Sequence, residues 1–324
     1  MNKMKVVTIG GGTGSFVVLS GLKKYDLDIT AIVSMADDGG STGRLRDELG
    51  VLPPGDVRQC LVALSNESKA LRDLFNYRFE TGQLKGHSVG NLFLSASEKL
   101  KGNFSAGLKM VEKVLNIKGR VLPVTEDDVD LCVELKNGEV LKGQNEINHN
   151  SKIQKTGIRK IYLEPEARPN QEAVKKIKEA DIIVIGPGNH YCSIIPNLVI
   201  KEITEAISSS QAKVIYICNL VNKKGHTEGF KLDDYVDSIN SFFKKPRIDK
   251  VLFNKTKPSK ELQAKYQSQG ETLIEFEKTD CEVIKADVLS GVVPEYSRSD
   301  SVSDMRSLIR HDSDKLAKEI VSKV

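Results

Sequence analysis

The chain of 324 residues carries 48 lysines and arginines against 44 aspartates and glutamates, so its formal net charge is only +4. Hydrophobic residues make up 39% and charged residues 28%, which excludes a disordered chain and is typical of a folded globular protein. The weak charge predicts no nucleic-acid partner, because the basic pairs Lys223-Lys224 and Lys244-Lys245 are too short for a concentrated patch and are interpreted as solvated surface.

The apolar runs and the cysteines indicate the compartment. The strongest apolar runs, at 182–185 and 214–217, have the length of a strand, so no membrane insertion is predicted. The run at 6–9 is too short for a signal peptide. The five cysteines include no C-x-x-C pair, which predicts buried free thiols rather than a zinc site or disulfides. We therefore expect a cytoplasmic protein.

The first elements of the chain predict a βαβ unit. A β-branched run at 4–9 ends at a glycine-rich turn, apolar residues from Phe16 to Leu22 have helical spacing, and a second apolar run covers 29–35. Two nearly continuous apolar strands are typical of a parallel sheet covered on both faces. The fold class expected is α/β, with a Rossmann-like, doubly wound and mostly parallel sheet. Residues 37–55 are predicted as a long loop, because their glycines and prolines exclude one unbroken helix.

The later elements continue the α/β pattern around one insertion. Residues 120–163 are strand-like, and Asn137-Gly138 between two runs predicts a hairpin in a small antiparallel insertion. We expect one domain over residues 1–324 that contains this insertion, and a solvated loop at 297–307. Helices are predicted at 56–63, 68–78, 89–100, 103–115, 169–180, 195–207, 258–268 and from 313, and strands at 181–185, 213–220, 249–253 and 281–285.

The first candidate site is the glycine turn between the first strand and the first helix. Such a turn brings backbone N–H groups and a helix N-terminus close to an anion, and phosphate is the natural guest. Ser15 stands where the dinucleotide fingerprint has its third glycine, and the P-loop lysine is missing, so neither standard NAD nor standard ATP binding is predicted. A tight turn that needs glycine only is the alternative. The phosphate-binding residues predicted here are Gly10, Gly11, Gly12, Thr13 and Gly14.

Three further candidate sites precede the insertion. Asp37 and Asp38 follow the second strand, where two carboxylates could hold ribose hydroxyls or a Mg²⁺ ion that bridges phosphates. For Asp56, the competing interpretation is a simple helix cap. The motif around His87 could bind an anion, and His87 could act as an acid or base; the competing interpretation is a capped buried helix. The ligand residues predicted in these motifs are Asp37, Asp38, Gly39, Gly40, Ser41, Arg44, Asp56, Arg58, His87 and Asn91.

A fifth candidate site repeats the strand, glycine turn and helix order at residues 186–193. Asn219 follows the next strand and should reach the same edge of the sheet. Two glycine turns that face one crevice suit a ligand with more than one phosphate, such as a nucleotide diphosphate sugar. The residues predicted to contact it here are Gly186, Gly188, Asn189, Tyr191, Ser193 and Asn219.

As an ordered set, these motifs resemble the bacterial gluconeogenesis factor family (YvcK-like), which shares a superfamily with the 2-phospho-L-lactate transferases (CofD-like). The resemblance runs from Val6 to about His311. It rests on G-G-G-T-G at 10–14, A-D-D-G-G-S at 36–41, P-P-G-D-V-R at 53–58, G-H-S-V-G-N at 86–91, G-P-G at 186–188 and I-I-P-N-L at 194–198.

The resemblance implies a cytoplasmic protein that binds UDP-sugars such as UDP-N-acetylglucosamine and is linked to cell shape and wall synthesis on gluconeogenic carbon sources. By the family pattern, Tyr266 and the Arg310-His311-Asp312 run also match ligand-site positions. The chain departs from the pattern at Asn189, His190 and Cys192. It also has His226 where the family usually has a glutamate, which puts ligand preference at that edge in doubt.

Two functions are therefore considered, and the first is favoured over the second. The first is a nucleotide-sugar-binding factor that acts through protein partners in cell-wall synthesis, either alone or as a homo-oligomer. The alternative is a Mg²⁺-dependent transferase, similar to the 2-phospho-L-lactate transferases, that acts on a phosphorylated small molecule. NAD or a related dinucleotide in the same crevice is a third reading, which Ser15 weakens.

Overall fold

A computed structural model describes residues 3–276, 279–293 and 307–322. The predicted loop at 297–307 lies outside these residues except for Ser307. The strands are β1 Met4–Gly10, β2 Leu27–Val33, β3 Arg120–Pro123, β4 Asp130–Leu135, β5 Val140–Lys142, β6 Ile158–Glu164, β7 Ile182–Ile185, β8 Lys213–Ile217, β9 Lys250–Asn254 and β10 Glu282–Ala286.

Helices fill the connections between these strands. They are α1 Gly12–Leu22, α2 Gly40–Leu49, α3 Gly55–Leu64, α4 Lys69–Asn76, α5 Val89–Lys101, α6 Phe104–Val114, α7 Gln144–His149, α8 Lys152–Thr156, α9 Gln171–Lys178, α10 Ile195–Leu198, α11 Lys201–Ser209, α12 Leu232–Asn240, α13 Lys260–Ser268 and α14 Ser313–Ser322. A π-helical turn, His190–Ile194, precedes α10.

Seven of the strands form one parallel sheet in the order β10-β9-β8-β7-β1-β2-β3. The chain builds outward from β1 to β3 on one side and from β7 to β10 on the other. The direction of winding therefore reverses between β1 and β7, which is the switch point of a doubly wound sheet. The predicted Rossmann-like fold class is confirmed, and the ligand crevice of such a fold is expected at this point.

Both faces of the sheet are buried, which explains the continuous apolar runs. Val7 and Ile9 of β1 point to one face with Ile183 and Ile185 of β7, while Val6 points to the other face with α1, α3 and α14. Side chains alternate between the faces of a strand, so a strand covered on both sides needs apolar residues at every position. The largest overestimate of a strand was at β8, which was predicted to reach residue 220 but ends at Ile217.

The antiparallel insertion is smaller than predicted and is better defined. β4, β5 and β6 form a three-stranded sheet, and the Asn137-Gly138 hairpin joins β4 to β5 as predicted. Residues 120–123 do not belong to it, because β3 pairs with β2 in parallel at the edge of the main sheet. The insertion also carries two short helices, α7 and α8, that the strand-like pattern did not indicate.

The predicted long loop at 37–55 was wrong, because α2 occupies most of it. Gly39 is the residue before the helix, and Gly50 ends it in the left-handed conformation with φ of 57°. The glycines at both ends therefore delimit the helix instead of preventing it. Arg46 holds α2 in place through ion pairs with Asp128 and Asp130 at 2.6 and 2.8 Å.

Other boundaries differ by a few residues. The first helix begins at Gly12 rather than Phe16, so the glycine turn supplies the first helical turn itself. The predicted helix at 195–207 is split between α10 and α11. All five cysteines are free thiols, as predicted, and four of them are buried. In the described part of the chain, none of the helices is long and apolar enough to cross a membrane.

Candidate ligand-binding cleft

A cleft of about 1190 Å³ opens at the carboxyl edge of the parallel sheet, next to the switch point. The turn after β1 and the turn after β7 form its floor, because β1 and β7 are paired and Ile9 lies opposite Ile185. The backbone N–H of Gly186 donates to the carbonyl of Ile9 at 2.9 Å, which holds the two turns side by side. The volume exceeds that of a typical drug-sized pocket and suits an extended ligand.

The first turn presents the N-terminus of α1 to the cleft. Gly11 precedes the helix, no side chain caps it, and its first turn contains no acidic residue. Unpaired N–H groups at such an end attract an anion. The carboxylate of Asp56 lies directly against this turn, since a Cβ on Gly12 would be 2.4 Å from Asp56 Oδ1. The turn therefore offers both anion-binding N–H groups and one neighbouring carboxylate.

A second helix N-terminus, that of α2, also faces the cleft. Gly39 precedes it without a side-chain cap, and its first turn contains no acidic residue. Asp37 Oδ1 accepts the backbone N–H of Gly39 at 3.0 Å. Its other oxygen lies near Gly55, the first residue of α3, because a Cβ there would be 2.7 Å from Asp37 Oδ2. Asp37 thus reaches the start of α3, where Asp56 also lines this wall of the cleft.

A directed chain of hydrogen bonds positions Arg58 on the same wall. Arg58 Nε donates to Asn91 Oδ1 at 3.0 Å, and Asn91 Nδ2 donates to Ser41 Oγ at 3.3 Å. Ser41 Oγ is 2.9 Å from His87 Nδ1. Burial, and then the nearby charge of Arg44, lower the pKa of His87, which favours the neutral form of the ring in this pair. This relay and a second hydrogen bond, from Arg58 Nη1 to Asn76 Oδ1, hold the guanidinium of Arg58, a residue that lines the cleft.

The second glycine turn is fixed by one amide side chain. The N–H of Gly188 donates to Asn219 Oδ1 at 2.8 Å, and Asn219 Nδ2 donates back to the carbonyl of Gly188 at 2.7 Å. Asn219 comes directly after β8, so the strand order brings it to this turn. Next along the chain, Asn189 Nδ2 donates to Asn148 Oδ1 of α7 at 2.7 Å, which ties the turn to the insertion.

The charged side chains that line the cleft are mostly basic. Six are cationic and three are anionic, so the cleft is positive although the whole chain is almost neutral. A concave site of one charge sign concentrates ligands of the opposite sign. The cationic residues are Arg58, Arg78, Lys223, Lys224, Lys265 and Arg310, and the anionic residues are Asp37, Asp56 and Glu271.

The structure brings most of the predicted site residues together. The predicted residues that line the cleft are Gly11, Gly12, Thr13, Gly14, Asp37, Gly39, Gly40, Ser41, Asp56, Arg58, Asn91, Gly188, Asn189, Ser193, Asn219, Tyr266 and Arg310. The remaining predicted residues lie beside or beneath it and are Gly10, Asp38, Arg44, His87, Gly186 and Tyr191. Arg44 donates to the carbonyl of Lys85 at 2.9 Å instead of facing the cleft.

Asp37 and Asp38, predicted as a pair, point in different directions. Asp38 Oδ1 accepts the backbone N–H of Asn145 at 2.7 Å, so this carboxylate joins the main domain to the start of α7. Burial raises the pKa of Asp38, and the hydrogen bond from Asn145 partly opposes that change. In the described part of the chain, no three His, Cys, Asp or Glu side chains are grouped closely enough to hold a metal ion by themselves.

Sequence reasoning missed several residues of the cleft. Lys223 was interpreted as solvated surface, but it is half-buried and its ammonium group donates to Asn148 Oδ1. The interpretation failed because the partner lies 75 residues away on α7. The insertion supplies further polar lining residues, which are Gln144, Asn145, Asn148 and His149. Three buried histidines also border the cleft. His190 and His226 were noted in the sequence only as departures from the family pattern, whereas His311 was matched to a ligand-site position.

The sheet order and the cleft at its switch point define a Rossmann-like α/β protein. The sequence profile of the 2-phospho-L-lactate transferase CofD family matches residues 6–292. A gluconeogenesis factor from Bacillus subtilis is 40% identical over 98% of both chains, and one from Listeria monocytogenes is 39% identical over 99% of this chain and 95% of the relative. The chain belongs to the CofD family and, within it, to the gluconeogenesis factors.

A solved structure shows the same architecture over the whole chain. The crystal structure of a Bacillus halodurans protein superposes with a TM-score of 0.88 at 36% sequence identity, and the match covers 99% of each chain. At this level of identity, the arrangement of the sheet and the insertion is a property of the family.

Proposed function

We propose that the cleft binds a UDP-sugar and that the protein is a nucleotide-sugar-binding factor rather than a free-standing catalyst. The observation that carries this proposal is the convergence of two helix N-termini without side-chain caps, those of α1 and α2, on one basic cleft. Each N-terminus suits a phosphate group. A diphosphate offers two phosphate groups joined by one oxygen, which matches two neighbouring anion-binding ends.

The volume and the lining support a sugar nucleotide more than a simple phosphate. About 1190 Å³ is more than a free phosphate needs and leaves space for a nucleoside and a sugar. Amide side chains such as Asn148 and Asn189 can both donate and accept hydrogen bonds, which suits sugar hydroxyls. In this proposal the protein works in the cytoplasm, where it couples sugar-nucleotide supply to cell shape and wall synthesis during gluconeogenic growth.

A thermal-shift panel tests the proposal. UDP-N-acetylglucosamine should raise the melting temperature, because a ligand present at about 100 times its Kd stabilises the folded state by about 2.7 kcal/mol. Arg58→Met should weaken binding roughly tenfold, since it removes the charge that the Asn91 relay holds at the cleft. Lys245→Met removes one exposed charge outside the cleft and should leave binding unchanged. No stabilisation by any UDP-sugar would reject the proposal.

The second candidate function is a Mg²⁺-dependent transferase, and the paired carboxylates favour it. Asp37 and Asp56 lie on one wall, beside helix ends suited to phosphate. Mg²⁺ is often held by one or two carboxylates together with ligand phosphates. Asp56 would take the place of Asp38 in the predicted pair of metal ligands, because the carboxylate of Asp38 accepts a hydrogen bond from the backbone N–H of Asn145 in α7. Stabilisation by GTP or GDP with Mg²⁺, and by no UDP-sugar, would favour this candidate. The same panel includes NAD.

A further inference from the structure

One part of the cleft contains polar groups that the phosphate-binding turns do not use. Lys223 and His226 belong to a single turn after β8, in which the N–H of His226 donates to the carbonyl of Lys223 at 3.1 Å. Both side chains line the cleft. The turn lies against α7 of the insertion, since Lys223 donates to Asn148 Oδ1.

The ammonium group of Lys223 has an amide as its partner instead of a carboxylate. It donates to Asn148 Oδ1, which also accepts from Asn189 Nδ2 at 2.7 Å. The charge of Glu271, the acidic lining residue that acts on Lys223, favours the charged form of the ammonium group. Burial lowers the pKa of Lys223, and a bound anion would oppose that decrease because it stabilises the charged ammonium group.

His226 supplies a second polar group, next to the backbone of α7. Its side chain is only 2% exposed. Neither ring nitrogen has a hydrogen-bond partner among the described residues, although the backbone of Ile147 and Asn148 lies close to the ring. A buried polar atom without a well-aligned partner is destabilising, so these ring nitrogens, in a residue that lines the cleft, mark a place for a ligand group. Burial lowers the pKa of His226 to about 4, so the neutral ring offers one N–H donor at pH 7.

The cluster is close to the phosphate-binding turns but separate from them. Gly14 of the first turn packs against Pro187 and Gly188, Asn189 follows, and Asn189 contacts Asn148 beside Lys223. A ligand whose phosphates bind the first turn would therefore extend past Asn189 to reach Lys223. One cation, one neutral donor and one amide match an anion of a single negative charge, which is the charge of a carboxylate.

From these contacts we infer that Lys223, His226 and Asn148 form a carboxylate subsite, and that the preferred ligand is a nucleotide-activated sugar that carries a carboxyl group. This inference rests on the proposed function, because it assigns the sugar end of the same ligand. Lys223 and His226 are then specificity-determining residues. They select an acidic sugar over a neutral one, while the glycine turns bind the diphosphate of either.

Calorimetry with matched ligands tests the inference. UDP-glucuronate and UDP-glucose differ only in the group at C6 of the sugar, which is a carboxylate in one and a hydroxymethyl group in the other. The wild-type protein should bind UDP-glucuronate at least about tenfold more tightly, since hydrogen bonds to a charged group contribute about 1.5 to 3 kcal/mol. Lys223→Met should abolish this preference, so that UDP-glucuronate and UDP-glucose bind with affinities within about twofold of each other.

Three further variants keep the outcome clear. His226→Gln should reduce the preference partly, Lys223→Arg should retain most of it, and Lys245→Met should retain all of it, since Lys245 is exposed and lies outside the cleft lining. If Lys223→Met fails to fold, judged by its thermal melt, the His226→Gln result decides. Equal or tighter binding of UDP-glucose or UDP-N-acetylglucosamine by the wild-type protein would overturn the inference alone. Binding of none of the three ligands would overturn the proposed function, and the inference with it.

Discussion

The two glycine turns at the switch point follow neighbouring parallel strands, yet their glycines meet different surroundings. In the first turn, a Cβ on Gly14 would lie 1.7 Å from the carbonyl oxygen of Pro187. In the second turn, a Cβ on Gly186 would meet only the carbonyl oxygen of Ile9, at 3.5 Å. The first turn therefore needs glycine for close packing, whereas the start of the second turn has room for a side chain.

This difference separates two reasons for a glycine-rich motif. The packing of Gly14 on Pro187 would require glycine even if no ligand were bound. An anion is expected at the first turn because of the N-terminus of α1 and the basic residues of the cleft, and not because of the glycines alone. At the second turn, Asn219 provides the rigidity, and the backbone is held by side-chain hydrogen bonds.

The largest expected effect is that of Gly14→Ala. The added methyl group would overlap the Pro187 backbone, which cannot move without displacing the second turn. We expect a loss of about 3 kcal/mol in the free energy of unfolding, at the upper end of overpacking substitutions, and a loss of UDP-sugar binding. Urea denaturation and calorimetry check both. A stable Gly14→Ala protein would show that the two turns can separate, which would remove the basis of the comparison.

The second expected effect is a loss of folding stability at acid pH, caused by three buried histidines that line the cleft beyond the glycine turns. Burial lowers the pKa of His190 to about 3 and the pKa of His226 and His311 to about 4. These groups are neutral in the folded state, while the unfolded chain binds their protons near the ordinary pKa of about 6.5. The free energy of unfolding is therefore not reduced by these groups above about pH 6.5, and it decreases as the pH falls towards 4 because the unfolded chain then binds protons that the folded chain does not.

Each of these histidines should lower the free energy of unfolding by about 2 to 3 kcal/mol between pH 7 and pH 4.5. Urea denaturation at pH 7.0, 6.0, 5.0 and 4.5 measures this slope. His226→Gln should flatten it by the share of one histidine, because glutamine does not titrate. An unchanged slope in that variant would mean that the His226 ring is protonated without cost and is open to water.

The sequence was sufficient to predict the sheet and both turns, because the signals involved are local. Residues 6–9 and 182–185 are apolar at every position, which is typical of parallel strands covered on both faces, and glycine follows each run. The order of βαβ units then places the turns at one edge of the sheet. Most of the predicted site residues line one cleft for this reason.

The parts that could not be predicted depend on contacts between distant segments. α2 has a polar sequence rich in glycine, and ion pairs from Arg46 to Asp128 and Asp130 help hold it in place. Lys223 lines the cleft because α7 places Asn148 beside it. Asp37 and Asp38 are adjacent in the sequence, but Asp37 lines the cleft while Asp38 meets Asn145 of the insertion. These contacts join segments that are far apart in the sequence, so no local sequence pattern predicts them.

The third expected effect concerns the amide that fixes the second turn. Asn219→Ala removes both hydrogen bonds to Gly188 and leaves its N–H and carbonyl without these partners. We expect a loss of about 2 kcal/mol in the free energy of unfolding and weaker UDP-sugar binding. Asn219→Asp is the informative companion, since it still accepts from the N–H of Gly188 but cannot donate to the carbonyl. An Asn219→Ala protein as stable as wild type would show that the turn is rigid without this side chain.

The smallest expected effect is that of Gly186→Ala, the counterpart of Gly14→Ala. The new Cβ would make an ordinary contact with the carbonyl of Ile9, and the backbone at Gly186 lies outside the positive φ region. Alanine also has fewer conformations in the unfolded chain, so we expect the free energy of unfolding to rise by about 0.4 to 1 kcal/mol. UDP-sugar affinity should stay within about twofold, as calorimetry can establish. A large loss of affinity with stability intact would mean that the ligand approaches the backbone at Gly186 itself, and the second turn would then need its first glycine for binding and not for packing.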